Sequence, residues 1–244
     1  MCATCGCSDS ASVRVDHSHA DHSHAEASRT VVLEQDVLAK NDHLAAHNRA
    51  RLAELGIFAV NLMSSPGAGK TTLLEQTVHE LGGSTPLAVV EGDQETLLDA
   101  DRIKASGAPV VQINTGAGCH LDATMLSRAL DTLAPARGSV VFVENVGNLV
   151  CPALFDLGEA ARVVIMSVTE GPGKPLKYPH MFASTDLVLL NKIDLLPYVS
   201  FSVPEFLHDL RHVNPDARVV EISATRGDGL EEWYGWLRQR PGRG

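Results

Sequence analysis

The chain has 244 residues, 44% hydrophobic and 20% charged, which suits one α/β domain with some chain to spare. Its 20 Lys and Arg face 30 Asp and Glu, a formal charge of -10, so a nucleic-acid binder working by phosphate neutralisation is disfavoured. The longest apolar runs, near Val140–Val143 and Val163–Met166, are strand-sized and fall short of the roughly 18 residues a membrane span needs. The start of the chain lacks a basic n-region and an apolar h-region, so a cytoplasmic protein with no membrane partner is expected.

Of the 5 cysteines, Cys2, Cys5 and Cys7 cluster at the N-terminus. A disulfide framework would spread its cysteines through the fold, so reduced thiols for metal or redox chemistry fit better. Gly6 permits a tight turn, and three thiols plus the α-amino group can wrap one soft or borderline metal without any fold. A redox cluster or a chance grouping is the competing reading. His-Ser-His-Ala follows twice, at His17–Ala20 and His22–Ala25, and its imidazoles favour the metal. Residues 1–30 hold almost no large apolar side chain and are expected to form a disordered Cys/His-rich metal-binding tail.

Val31–Leu55 carries an intermittent apolar face without Gly or Pro and is expected to be an N-terminal helix ended by Gly56. From Ile57 the pattern alternates strand, loop and helix, defining a nucleotide-binding domain over residues 56–240. Strands are expected at Ile57–Met63, Leu87–Glu91, Val110–Asn114, Val140–Val143, Val163–Val168, Leu187–Leu190 and Val219–Ile222. Helices are expected at Thr71–Leu81, Gln94–Ala105, Ala123–Leu133, Pro204–Val213 and Leu230–Arg238. Several strands are continuously apolar and β-branched, as in a mostly parallel sheet covered by helices on both faces.

Ser64–Thr72 follows the first strand and opens a helix, matching a phosphate-binding loop. Gly67, Ala68 and Gly69 let backbone N–H groups turn toward phosphates, and the helix N-terminus adds positive potential. Lys70 would reach the β- and γ-phosphates, Thr71 would ligate Mg²⁺, and Thr72 completes the loop. Ser64 stands where the motif usually has Gly. The chain therefore reads as an α/β P-loop NTPase.

Asp93 ends the next strand and could ligate Mg²⁺ or orient an attacking water. Glu144 ends the fourth strand, where it could bind Mg²⁺ through water, and the Gly147 N–H could sense a γ-phosphate. Capping the following helix is the plainer role for each carboxylate. Their shared place at strand C-terminal ends, where such sheets bind ligands, favours function. Cys119-His120 sits in a Gly-rich turn, and Cys151 lies beyond the Glu144 loop. These three could ligate one metal or could be ordinary core side chains.

Asn191-Lys192-Ile193-Asp194 follows the sixth strand, 121 residues after Lys70 (191 minus 70). Asp194 could accept two hydrogen bonds from guanine N1–H and its amino group, a pair adenine cannot supply. The later Ser223-Ala224-Thr225 resembles the guanine-supporting segment of GTPases. Lys70, Asp93 and Glu144 are the expected catalytic residues. A P-loop small-molecule kinase would have no need of the Asn-Lys-x-Asp motif.

Together these residues resemble the HypB family, the nickel-insertion GTPases of nickel–iron hydrogenase maturation. The resemblance covers nearly the whole chain. It runs from Cys2-Ala-Thr-Cys5-Gly-Cys7 and the His-rich stretch through Ser65–Thr72, Glu91–Gln94, Gly118–Asp122, Glu144–Cys151 and Pro175–Pro179 to Asn191–Asp194. It implies hydrolysis of GTP to GDP and phosphate, and a GTP-dependent homodimer. It also implies a nickel or zinc site from Cys119, His120 and Cys151 near the dimer interface, and a tight nickel site at the N-terminal cysteines. The implied partners are another maturation metallochaperone and the hydrogenase large subunit. A urease-type or other cofactor-chaperone GTPase is the nearest alternative, and a metal buffer or storage protein the next. The expected mechanism is a switch in which nucleotide state sets metal affinity at Cys151.

Overall fold

The computed structural model describes residues 23–93, 98–116 and 118–239, without the side chains of residues 23–35 and 98. Cys2, Cys5, Cys7 and the His17–Ala20 repeat lie outside the described residues. Helix α1 spans Ser23–Glu54. Its backbone starts ahead of the expected Val31 and takes in residues 23–30, which the sequence reading assigned to the tail. That stretch has no Gly or Pro, and its Ala, Glu and Arg are good helix formers.

Strand β1 (Phe58–Ser64) leads through the Gly-rich loop into α2 (Lys70–Leu81). There follow β2 (Leu87–Asp93), α3 (Leu98–Ala105), β3 (Val110–Asn114), α4 (Ala123–Leu133) and β4 (Val140–Glu144). The short helix α5 (Cys151–Leu154) precedes β5 (Ala161–Ser167), and α6 (Lys174–Lys177) and α7 (Pro179–Ala183) precede β6 (Leu187–Asn191). Then come α8 (Val203–Val213), β7 (Arg218–Glu221) and α9 (Leu230–Gln239). The strands form one sheet in the order β3-β2-β4-β1-β5-β6-β7, and every pairing is parallel. The α/β P-loop NTPase architecture is therefore as expected.

Strand residues alternate between faces. Phe58, Val60 and Leu62 pack with α2, α3 and α9, where Trp233 and Trp236 fill the layer. Ala59 and its neighbours Val141 and Val143 pack against α1 and α4. Met63, Val164 and Val188 pack against α7 and α8. Because all strands run the same way, the C-terminal ends of β1, β2, β4 and β6 converge on one edge. That edge carries the phosphate loop and the carboxylates.

Candidate functional site

The loop between β1 and α2 can close only because Gly67 and Gly69 take φ of +72° and +103°, a region open to glycine. A Cβ on Gly69 would also lie 2.5 Å from Asn191 Nδ2. Gly67, Gly69, Lys70, Thr71, Thr72, Asp93, Glu144, Gly147 and Lys192 line a single cleft of about 500 Å³. A larger cavity of about 660 Å³ lies at the other end of the sheet, but its lining has no carboxylate, lysine or arginine. Converging charge, rather than size, marks the site.

Lys70 Nζ donates to Ser64 Oγ at 2.8 Å, so the serine at the first motif position holds the lysine along the loop. Burial pushes the Lys70 pKa down, against the opposing pull of Glu144. Thr71 Oγ1 donates to Glu144 Oε1 at 2.9 Å. Glu91 and Glu144 lie side by side in register across β2 and β4. Burial raises the Glu91 carboxyl to about 8, with the negative charge of Glu144 adding to the effect. Burial likewise raises Glu144 to about 7, against the Lys70 charge. Glu91 Oε2 and Glu144 Oε2 are both buried without a hydrogen-bond partner. Two orphaned carboxylate oxygens beside a threonine hydroxyl are the donor set a hard divalent cation takes, so the residues fit Mg²⁺.

Asn191 is 1% exposed and braces the cleft from beneath. Its Nδ2 donates to Ala68 O at 2.8 Å, and its Oδ1 accepts from Ala224 N at 3.0 Å. Ala68 is likewise buried rather than cleft-lining. Lys192, at φ +63°, donates from Nζ to Gly67 O at 2.7 Å. Ser223 Oγ donates to Asp194 Oδ1 at 2.6 Å. Asp194, Ser223 and Ala224 do not line the cleft itself, but Asn191 ties their loop to it.

Cys119, His120 and Cys151 come together, with their ligand atoms all within 4.8 Å of one another. Cys119 Sγ lies 2.9 Å from Cys151 Sγ, well beyond a disulfide bond of about 2.05 Å, and 3.7 Å from His120 Nδ1. The His120 ring stacks on Phe155, with centroids 3.9 Å apart. Burial lowers its pKa, although Asp122 pulls it upward, which favours the neutral imidazole that metals bind. Two thiols and an imidazole suit nickel or zinc rather than Mg²⁺.

Sequence reasoning missed Arg102, which lines the cleft and is held by Glu75 Oε2 at 2.6 Å. It also missed Asn41, Asn48, Asn61, Asn145, Glu159 and Arg162, all buried. The available signal was a polar residue interrupting an apolar pattern, as Asn61 does within Phe58–Met63.

The fold and the loop define a P-loop nucleotide-binding protein of the α/β class, with a thiol–imidazole cluster beside its cleft. Residues 58–221 match the CobW/HypB/UreG nucleotide-binding domain family. The hydrogenase maturation factor HypB of Azotobacter chroococcum is 57% identical over 215 residues, 88% of this chain and 70% of that protein. HypB of Escherichia coli K12 is 54% identical over 209 residues, 86% of this chain and 72% of that protein. The HypB crystal structure from Archaeoglobus fulgidus superposes with a TM-score of 0.77 at 39% identity, covering 82% of this chain and 98% of that one. HypB from Helicobacter pylori in complex with nickel gives 0.78 at 39% identity, covering 82% and 94%. The chain belongs to the HypB family of hydrogenase maturation factors.

Proposed function

We propose that the chain is a nickel metallochaperone that hydrolyses GTP to GDP and phosphate and delivers nickel to nickel–iron hydrogenase. Lys70 binds the β- and γ-phosphates, and the backbone of Gly67–Lys70 cradles them. Thr71, Asp93 and Glu144 hold Mg²⁺, directly or through water. Mg²⁺, when bound, offsets the negative charge that develops on the phosphate oxygens. Glu144 and Asp93 position the attacking water. Asp194, steadied by Ser223, selects guanine, while Asn191, Lys192 and Ala224 keep the base loop and phosphate loop together. Nickel is the cargo of Cys119, His120 and Cys151, zinc competes for the same donors, and Cys2, Cys5 and Cys7 form a separate, tighter nickel site. GTP favours a homodimer, and delivery involves a partner metallochaperone and the hydrogenase large subunit.

One observation carries this reading. The segment from Glu144 to Cys151 lines the cleft at its start and supplies a thiol to the metal cluster at its end. A group that repositions Gly147 therefore pulls on Cys151. Metal bonds tolerate shifts of only about 0.2 Å, so a small displacement changes affinity.

The test is nickel titration of a variant lacking Cys2, Cys5 and Cys7, with GDP and then with a non-hydrolysable GTP analogue. The expected affinities differ by about 5- to 150-fold, the usual range of allosteric coupling, and Cys151→Ala erases the difference. Equal affinities in both states would contradict the reading.

A further inference from the structure

The sheet face beneath α1, α4, α7 and α8 carries a line of buried polar side chains with no part in the roles above. Asn61 is 0% exposed in the middle of β1, Asn145 and Glu159 are 1% exposed, and Arg162 is 7%. Asn61 pairs in register with Arg162 of β5. Asn145 Nδ2 donates to Asn61 Oδ1 at 3.3 Å, and Asn61 Nδ2 donates to Glu159 Oε1 at 3.5 Å. Arg162 Nε donates to the same Glu159 oxygen. Its Nη1 donates to Ala153 O at 3.3 Å and to Ser184 Oγ at 3.0 Å. At the other end, Asn145 Oδ1 accepts from Leu121 N at 3.1 Å and from Val146 N at 3.0 Å.

A buried ion pair and two buried amides add little stability over a well-packed apolar line of the same volume. What a satisfied network does add is defined position. The two ends of this one are informative. Leu121 follows His120, and Ala153 lies in α5, the helix that Cys151 begins. Between them, Asn145 stands in the loop between Glu144 and Gly147, which lines the nucleotide cleft.

We propose that Asn145 is the positioning residue through which the nucleotide loop sets the spacing of the metal ligands. This rests on the nucleotide-coupled reading above and names the contacts that carry it. The Asn145 carboxamide grips the His120 loop directly through Leu121 N. It grips the Cys151 helix through Asn61, Glu159 and Arg162. A shift of the loop by about 1 Å would carry the Leu121 N contact, 3.1 Å at rest, past the 3.2 Å that N–H···O contacts favour, so the His120 loop follows it. The Asn61 arm, with contacts of 3.3 and 3.5 Å, is the looser link toward Cys151. The covalent path along residues 144–151 is the competing carrier, and Asn145→Ala leaves it intact.

The experiment repeats the nickel titration at saturating GDP and at saturating GTP analogue. It compares the chain without the N-terminal cysteines against the same chain with Asn145→Ala or with Asn61→Leu. It also follows the nickel–thiolate charge-transfer absorbance in each state. The parent should show the affinity ratio. Asn145→Ala should still bind nickel with GDP, but its ratio should fall to within about 2-fold of unity, and its two spectra should coincide. Asn61→Leu severs only the arm toward Glu159 and should retain an intermediate ratio; it also serves if Asn145→Ala does not fold. A parental ratio in Asn145→Ala, or in Asn61→Leu if that variant alone folds, overturns the inference and assigns coupling to the covalent path. Loss of nickel binding by Asn145→Ala in both states overturns it by making Asn145 merely structural. A parent with no ratio overturns instead the coupled reading, and removes the signal Asn145 would transmit.

Discussion

Glu91 and Glu144 are held side by side and largely buried at the floor of the cleft, and that burial has a consequence for pH. Their carboxyls have values of about 8 and about 7, against 4.5 in a free side chain. Both take up protons on folding. Their contribution to the stability of the nucleotide-free protein is therefore fully present below about pH 4.5 and lost as pH rises through 7 and 8. Thermal unfolding of the nucleotide-free protein should show a midpoint that falls across this window, and Glu91→Gln should flatten the upper part. An unchanged slope in that variant would contradict the assignment. Asp194 offers a second test at this scale. Asp194→Asn should weaken GTP and favour xanthosine triphosphate, by about 10- to 150-fold for a lost charge-assisted hydrogen bond of about 1.5–3 kcal/mol. Competitive displacement reads this directly, and equal competition by ATP in the unmutated protein would refute guanine selection. The phosphate loop, the strand-end carboxylates and the Cys119-His120 pair are legible in sequence because each is a local pattern. The bracing role of Asn191 is not, since its partners Ala68 and Ala224 lie far away in the chain.

Helix α1 reads from its sequence as an N-terminal helix with an intermittent apolar face. In the structure it also clamps the two loops that flank Cys119, His120 and Cys151. Asn48 Nδ2 donates to Ala123 O at 2.8 Å and to Leu157 O at 3.0 Å. Asn41 accepts from Ala123 N at 2.9 Å and donates to Asp156 O at 2.7 Å. One loop brings Cys119 and His120, the other follows α5, and the two asparagines hold them together. Gly158, at φ +88°, lets the second loop approach the α1 backbone at Ala45, where a Cβ would collide. Asn48→Ala would remove both of these buried hydrogen bonds, at about 0.5–1.5 kcal/mol each. Unfolding should fall by several degrees, at about 2–4 °C per kcal/mol for a chain of this size, and nickel affinity should weaken with it. An unchanged midpoint would contradict the clamp. Sequence patterning located every strand among the described residues and the longer helices within a few residues, except that α1 begins at Ser23 rather than Val31. It missed α5, α6 and α7, of 4, 4 and 5 residues, because so short a helix shows no periodicity.

At the scale of the molecule, parallel strand order does the main work. Central β1 is flanked by β4 and β5, so the phosphate loop, the Glu144 loop and the segment bearing Cys151 all leave the sheet at one edge. Alternation then puts apolar side chains on both faces and leaves Asn61 and Arg162 as a polar line between two apolar clusters. Asn61 breaks its strand's apolar run, but its partners were not legible in sequence because the line is assembled across strands rather than along them. Coupling between nucleotide and metal is a free energy shared by two sites, and such coupling is reciprocal. The most direct measurement is the affinity of a non-hydrolysable GTP analogue and of GDP, with and without nickel, in a variant lacking Cys2, Cys5 and Cys7. Nickel should change the ratio of the two nucleotide affinities by the same factor by which the nucleotides change nickel affinity, within about 5- to 150-fold. Nickel binding at Cys119, His120 and Cys151 that leaves both nucleotide affinities unaltered would contradict the account.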